Sequence, residues 1–274
     1  MATESPRILY FVHDNPAPSG GVWTIYSHVT QLNRNGIPAF AVHYAQGFRP
    51  DWFAGEVPTL YSDKGLPIGA NDVLVLPENY WMLSKLKELP VRKVIFCQNH
   101  FYAFGSLPPG ESWRTIGITH VIAASEVIAD FITGHPGWSP VPVVHYAVDH
   151  ARFKPQVKKR QIAYMPRKRP HDVAFIRGVL GATGSPAAQW PWVAIDNVSL
   201  DRSAEILRES EVFLSLSELE VSGFRRWRRW RRAASWSVIT ATVGSNTPRL
   251  ITDSGARRAT RSGAPTHSFA SWTC

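Results

Sequence analysis

Glycine and basic residues stand at two places in the sequence where they could bind an anionic substrate. Ser19-Gly20-Gly21 comes directly before a predicted helix, where free N–H groups and the missing Cβ atoms let an anion approach. Arg167-Lys168-Arg169 follows a predicted strand, where cationic side chains would bind a diphosphate and offset its charge as it departs. Each pattern also has an ordinary explanation, because glycine pairs are common in turns and charged runs are commonly solvated.

Polar side chains also follow two predicted strands near the N-terminus. His13 and Asp14 come after the first apolar run, and Gln98, Asn99 and His100 come after a later one. A single histidine is more often structural than catalytic. Because the carboxyl ends of parallel strands meet at one edge of a sheet, several polar residues at such ends favour a substrate pocket.

The apolar pattern predicts the elements that position these residues. Ile8–His13 is a short apolar run, and the apolar positions from Val22 to Leu32 then follow a helical spacing that ends before Gly36. The alternation of strand and helix predicts a parallel sheet covered on both faces, an α/β fold. Further strands are predicted at 39–43, 72–76, 93–97, 120–124 and 141–145, and helices at 80–89 and 126–133.

A second α/β unit is predicted after Pro155, with strands at 161–165, 192–195 and 212–216 and helices at 172–180 and 202–209. The pattern stops at Glu220, which leaves fewer strands than a doubly wound domain usually has. We therefore expect a complete Rossmann-like domain over 1–152, an incomplete one over 153–220 and a basic, irregular tail over 221–274.

Charge is distributed unevenly along the 274 residues, whose net charge is +9. Residues 1–220 hold 20 basic and 20 acidic side chains, whereas residues 221–274 hold ten arginines and one acid, Asp253. The tail also carries four of the eleven tryptophans and no sustained apolar period that would order it. Glu220 is thus the main compositional boundary.

Other compositional features exclude several classes of protein. The apolar content of 44% is that of a globular chain, and no apolar run approaches the ~20 residues that a membrane span requires. The N-terminus lacks the pattern of a signal peptide, which predicts a cytoplasmic protein. Two cysteines, Cys97 and Cys274, provide neither a disulfide framework nor a cysteine-rich metal site.

Five segments match motifs of one known family. They are P-x-P-S-G-G-V (Pro16–Val22), V-I-A-A-S-E-V-I-A-D-F (Val121–Phe131), A-R-F-K-P (Ala151–Pro155), I-A-Y-M-P-R-K (Ile162–Lys168) and S-A-E-I-L-R-E-S-E-V-F-L-S-L-S-E-L-E (Ser203–Glu220). With these segments, residues 1–220 resemble the nucleotide-sugar glycosyltransferases of GT-B fold, specifically the retaining class known as family 4. The last segment is the most specific, because in that family it leads directly into the donor-site motif G-F-G-x-P-x-x-E-A-M-A-x-G.

The resemblance implies an activity and a set of site residues. The protein would transfer a glycosyl group from a nucleotide diphosphate sugar to a glycan, lipid or small-molecule acceptor held by the N-terminal domain. Glu220 matches the first donor-site glutamate and His100 the acceptor-side histidine, which makes them the catalytic candidates. Arg167 and Lys168 match the donor-phosphate contacts, and Gly20 and Gly21 the glycine loop. No metal or further cofactor is implied, and peripheral membrane contact fits this class.

The chain departs from the family directly after Glu220. The second donor-site glutamate and the rest of the donor domain are absent, and an arginine- and tryptophan-rich segment follows. With GC-rich codons assumed for Arg225–Gly244, a frame shifted by two nucleotides encodes a Glu-Ala pair and an L-V-G-x-H-G run. We therefore expect a tail translated out of frame, and a chain with little or no transferase turnover.

The alternative interpretation is that the tail is functional. Phe224, Trp227 and Trp230 are spaced three residues apart with arginines between them. In a helix, this spacing would make an apolar stripe flanked by cations. A helix of this kind could bind an anionic membrane or nucleic-acid phosphates, although no specific nucleic-acid partner is expected. If the tail is accidental, the strand at 212–216 has an uncovered edge. Proteolysis should then remove the chain after about Ser222 first and cut near 155–160 next.

Overall fold

The computed structural model describes residues 6–53, 55–103, 105–147, 149, 151–154, 156–166, 169–216 and 237–240, the last range as backbone only. Two separate parallel sheets are present in the described residues, one in each of the two predicted α/β units. The chain is therefore an α/β protein, as the alternation of apolar patterns predicts.

The first sheet has six strands in the order β3-β2-β1-β4-β5-β6, all parallel. This is the strand order of Rossmann-like folds, in which the direction of winding reverses between β1 and β4. Ligands in such sheets bind outside the carboxyl ends of the strands at that reversal. The strands are β1 (Ile8–Phe11), β2 (Ala39–His43), β3 (Thr59–Tyr61), β4 (Val73–Pro77), β5 (Arg92–Cys97) and β6 (His120–Ala123).

Two α-helices pack in this unit, and a serine caps each of them. Helix α1 (Gly20–Arg34) begins after Ser19, whose hydroxyl accepts a hydrogen bond from the Val22 N–H group. Helix α2 (Glu126–Thr133) begins after Ser125 in the same way. Both serines satisfy N–H groups that the helix itself leaves unpaired. Two 3₁₀ helices, Leu83–Leu86 and His100–Tyr102, complete the connections.

The core of the first unit fills both faces of the six-stranded sheet. On one face His28 of α1 packs between the rings of Tyr10 and Phe96. On the other face Phe11, the next residue of β1, packs against Tyr80. Alternate residues of a strand point to opposite faces, so β1 contributes to both layers and is apolar throughout.

The second sheet has four parallel strands in the order β10-β9-β7-β8. They are β7 (Lys159–Tyr164), β8 (Trp192–Ala194), β9 (Ser210–Ser215) and β10 (Ser237–Thr240). Helix α3 (Pro170–Ala182) connects β7 with β8 through a 3₁₀ helix, Pro186–Gln189, and helix α4 (Leu200–Glu209) leads into β9.

The core of the second unit is split by its sheet. Ala163 and Phe213 lie in one cluster with residues of α4, whereas Ile162, Val212 and Leu214 lie in another with Val173 of α3. Among the described residues, each cluster contains five buried residues, far fewer than the single large cluster of the first unit. Burial of apolar area drives folding, so the second unit has the smaller driving force.

Two sequence predictions about elements are wrong, and one strand was not predicted. Residues 141–145 form no strand but a single bridge from Val143 to Ala123, because Pro142 has no N–H group to donate to a ladder. The helix predicted at 80–89 is reduced to the 3₁₀ helix Leu83–Leu86, whose buried leucines are three residues apart, the 3₁₀ spacing. The three-residue strand β3 was not predicted.

The tail contributes a strand, contrary to the prediction that 221–274 is irregular throughout. Strand β10 pairs with β9 from Ser237 opposite Val212 to Thr240 opposite Ser215. The edge predicted to be uncovered is therefore covered. Three β-branched residues, Val238, Ile239 and Thr240, explain the local preference for a strand.

Candidate functional site

The reversal of strand order between β1 and β4 is lined by polar side chains. His13 follows β1, and its Nε2 atom lies 3.0 Å from Oδ1 of Asn79, which follows β4. The His13 ring also packs against Tyr80, with ring centroids 5.8 Å apart. This hydrogen bond spans the position where Rossmann-like sheets bind their ligands.

Gly20 and Gly21, predicted to precede the helix, form the first turn of α1, and Gly21 contacts the segment that follows β5. The side-chain amide of Gln98 donates a hydrogen bond of 3.3 Å to the carbonyl oxygen of Gly21. A Cβ atom on Gly21 would lie 3.3 Å from the same amide nitrogen, so a larger residue would displace Gln98. Gly20 has no neighbouring atom within 4 Å of its Cβ position. The structure thus brings together two of the predicted polar clusters.

A buried glutamate fixes the segment after β5. Glu78 is 4% exposed, and its carboxylate accepts hydrogen bonds from the backbone N–H groups of Gln98 at 3.1 Å and Asn99 at 2.8 Å. Burial raises the pKa of Glu78 against the opposing effect of these bonds. Because both carboxylate oxygens are used, Glu78 determines how the backbone leading to His100 is oriented.

His100 opens the 3₁₀ helix after β5 and packs against two aromatic rings. Its ring centroid lies 4.4 Å from that of Phe101 and 4.7 Å from that of Phe131. Burial lowers the pKa of His100, which keeps the imidazole neutral at neutral pH. Within the described residues, His100 Nδ1 and Gln98 Oε1 are buried without a hydrogen-bond partner. Such atoms are rare in folded proteins, and a role in catalysis or ligand binding is one explanation for them.

A chain of three hydrogen-bonded side chains adjoins this edge and was not predicted. The Nδ1 atom of His43 lies 2.7 Å from Oδ1 of Asp14, and the Tyr26 hydroxyl lies 2.6 Å from Nε2 of the same ring. Asp14 also accepts the Ala45 N–H group at 2.7 Å. Burial lowers the pKa of His43 despite the bond to Asp14, and it raises the pKa of Tyr26 to about 12. Both groups are therefore neutral near pH 7.

Exposed aromatic rings surround the polar edge. Tyr44 after β2 packs against Trp81 after β4 with centroids 5.7 Å apart, and Lys85 lies over the Trp81 ring. Phe101 and Tyr102 after β5 are also about half exposed. Sequence reasoning missed these rings, although their positions directly after predicted strands carry the same signal as His13. Exposed aromatic faces of this kind can stack against a ligand ring.

Three predicted site residues lie outside the described residues: Arg167, Lys168 and Glu220. The neighbouring Arg169 is described, and it forms an ion pair of 2.7 Å with Asp172 in the first turn of α3. Arg167 and Lys168 fall in sequence between the end of β7 at Tyr164 and the start of α3 at Pro170. Their roles remain predictions.

The described residues contain neither a metal-binding cluster nor a membrane-spanning helix. No group of three or more His, Cys, Asp or Glu side chains is placed there to hold a metal ion. None of the described helices has both the length and the apolar content needed to cross a membrane.

The fold and the polar edge are typical of α/β enzymes that bind nucleotides or other small molecules at a strand-order reversal. No family model matches the chain. The chain is similar to a protein named alpha-1,6-glucosyltransferase from Actinobacillus pleuropneumoniae serotype 7 (strain AP76), with 24% identity over 226 residues. The alignment covers 78% of this chain and 67% of that protein.

Proposed function

We propose that the protein is a glycosyltransferase that moves a glucosyl group from a nucleotide sugar to a hydroxyl group of an acceptor. The similarity to a glucosyltransferase carries this proposal, because it extends over 226 residues. The first sheet supports it independently, with polar side chains and a glycine turn at the edge where Rossmann-like sheets bind ligands.

The donor would be held by residues of both units in a GT-B arrangement. Arg167 and Lys168 would bind the diphosphate and stabilise its charge as it leaves, a role that metal ions fill in other enzymes. Gly20 and Gly21 would allow the diphosphate to approach the N-terminus of α1, whose dipole favours an anion. Glu220 would bind the donor sugar and act in catalysis.

The acceptor would lie at the edge of the first sheet. His100 is neutral near pH 7, so its imidazole can accept a hydrogen bond from the attacking hydroxyl. An α-1,6 bond, as in the name of the similar protein, requires an acceptor with a primary hydroxyl at position 6 of a sugar ring. We propose such a sugar as the acceptor class, and a low turnover for this chain because the second donor-site glutamate is missing.

The test is binding and transfer of nucleotide-linked glucose by the 274-residue chain. The glucose conjugates of uridine, adenosine and guanosine diphosphate are titrated by calorimetry, and transfer of labelled glucose is followed with and without EDTA. Lys168→Ala should weaken donor binding about tenfold or more, the effect of losing one charge-assisted contact. EDTA should change neither binding nor transfer.

The matched control is Lys154→Ala, which removes an exposed lysine from the linker before β7. It should leave donor binding unchanged. A chain that binds none of the three conjugates, in this form and with the family frame restored after Phe224, would contradict the proposal. The nucleotide sequence of codons 218–226 would show directly whether a shift of one or two bases restores the family motif.

A further inference from the structure

A cavity of about 440 Å³ opens between α1 and the connection from β2 to β3. Aromatic rings provide much of its lining, namely Tyr26, Phe48, Phe53 and Tyr61, and Arg49 and Glu56 provide charge. None of these residues belongs to the sheet-edge site around His13, Glu78 and His100. Its volume lies in the range of small-ligand sites, which is roughly 300–1,000 Å³.

The aromatic part of the lining is held in place by packing. The ring of Phe53 meets that of Tyr26 edge to face, with centroids 4.8 Å apart, and Phe48 packs on the ring of His43 at 4.9 Å. Tyr26 in turn is fixed by its hydrogen bond to His43. Ring faces held in this way can contact an apolar surface of a ligand with little loss of conformational entropy.

The polar part of the lining suits a ligand rich in hydroxyl groups. Arg49 offers N–H donors and Glu56 offers acceptors, and both side chains belong to exposed residues. Arg49 and Tyr61 lie close enough to Tyr26 to affect its pKa, in opposite directions. The opposite charges of Arg49 and Glu56 offset one another, so the cavity has no excess of positive charge for a nucleoside diphosphate.

The cavity is linked to the sheet edge by the hydrogen-bonded chain of Asp14, His43 and Tyr26. Asp14 follows β1 at the edge and binds the Ala45 N–H group, where the connection to β3 begins. Tyr26, at the other end of the chain, lines the cavity. A ligand that extends from the sheet edge to the cavity would be contacted by the protein at both of its ends.

We propose that this cavity is a second saccharide subsite, which binds a neutral glucose ring of the acceptor glycan remote from the ring that receives the transferred sugar. Sugar rings have an apolar face that stacks on aromatic side chains and hydroxyl groups that bind pairs of charged side chains. The identification of the glycan as the acceptor rests on the proposed function. The binding of a saccharide in the cavity rests on its lining alone.

Equilibrium binding of isomaltose, an α-1,6-linked glucose disaccharide, to the full-length chain tests this subsite. Arg49→Ala and Glu56→Gln should each weaken binding about tenfold, because each removes a charge-assisted hydrogen bond. Arg34→Ala, which removes an exposed arginine at the end of α1 outside the cavity, should leave binding unchanged. Absence of isomaltose binding, or equal binding by all four chains, would overturn the subsite.

A second measurement separates the subsite from the proposed activity. Arg49→Ala should leave the affinity for nucleotide-linked glucose unchanged while it weakens that for isomaltose. Binding of isomaltose without any binding of nucleotide sugar would refute the transferase and leave the cavity as a saccharide site. Binding of nucleotide sugar with no isomaltose affinity would refute the saccharide subsite and leave the proposed transferase activity standing. Thermal unfolding of each variant identifies any loss of binding that reflects loss of the fold.

Discussion

Glu78 is the side chain on which the geometry of the candidate site depends most directly. Its two carboxylate oxygens accept the N–H groups of Gln98 and Asn99 inside the protein. The change Glu78→Gln leaves one oxygen and introduces an N–H donor opposite a backbone donor. We expect a loss of unfolding free energy of about 1–3 kcal/mol, the cost of an unsatisfied buried donor. Urea unfolding at pH 7 measures it.

The control for this change is Glu88→Gln, which alters an exposed glutamate of the same unit. A surface substitution of this kind should change stability by less than about 0.5 kcal/mol. Equal effects of the two variants would show that Glu78 does not hold the segment after β5. If the Glu78→Gln protein is destabilised and also binds the donor more weakly, Glu78 contributes to donor binding as well as to stability.

At the scale of residues, the sequence predicts which positions lie at the sheet edge better than which partners they find there. His13 and Gln98 lie at the edge because each follows a strand, and Gly21 because it lies in the first turn of the helix after β1, rules that need only the apolar pattern. The bond between Tyr26 and His43 could not be predicted in this way. Tyr26 fits the apolar stripe of α1, and its hydroxyl finds a partner only when α1 packs on β2.

At the scale of elements, the alternation of apolar runs and helical spacings predicted the fold, and the failures were local. Helix α1 and the central strands agree with their predicted ranges to within a few residues. The strand predicted at 141–145 does not form, because Pro142 within this apolar run has no N–H group to donate to a ladder. Strand β10 was missed because four residues in an arginine-rich segment carry too little periodicity to be recognised.

Helix α4 is closed at its carboxyl end by a lysine from the preceding linker. Lys158 Nζ donates a hydrogen bond of 2.7 Å to the Arg208 carbonyl, and burial lowers the pKa of Lys158 from 10.5 to about 8. In the unfolded chain this lysine keeps its proton to higher pH. Between about pH 8 and 10.5 the unfolded state therefore binds more protons, and the contribution of Lys158 to stability rises with pH.

The change Lys158→Met keeps the apolar stem and removes the titrating group. We expect the wild-type advantage in unfolding free energy over this variant to increase from pH 7 to pH 9.5. Urea unfolding at the two pH values measures it. Lys154→Met, which removes an exposed lysine from the same linker, is the matched control at both pH values. If the difference in unfolding free energy between wild type and Lys158→Met decreases from pH 7 to pH 9.5, the lowered pKa of Lys158 is contradicted.

At the scale of the whole molecule, the two units differ in how much apolar surface they bury. The first unit has one continuous core that includes Trp113 and Phe96, both fully buried. The second has two small clusters on opposite faces of its sheet. The apolar pattern placed the boundary between the units near Pro155, and the few strands that it predicts for the second unit agree with this asymmetry. The first unit should therefore be the more stable of the two.

The strand β10 makes the tail a part of the second sheet, and truncation tests its importance. A chain ending at residue 222 lacks β10 and leaves the edge of β9 unpaired, whereas a chain ending at residue 244 keeps the four residues that pair with it. Unpaired edges lose backbone hydrogen bonds and promote association with other chains. We expect the shorter chain to unfold its second unit at lower urea concentration and to sediment as larger species.

The first unit is the internal control for this comparison, because no described residue beyond 146 belongs to its core. Its unfolding transition should be the same in both chains. If the two chains also unfold their second units at the same urea concentration and remain monomeric, β10 adds nothing to stability. The tail would then behave as the accidental product that its composition suggests. If the longer chain is the more stable, residues 237–240 are a structural element, and the out-of-frame origin of that segment must be abandoned.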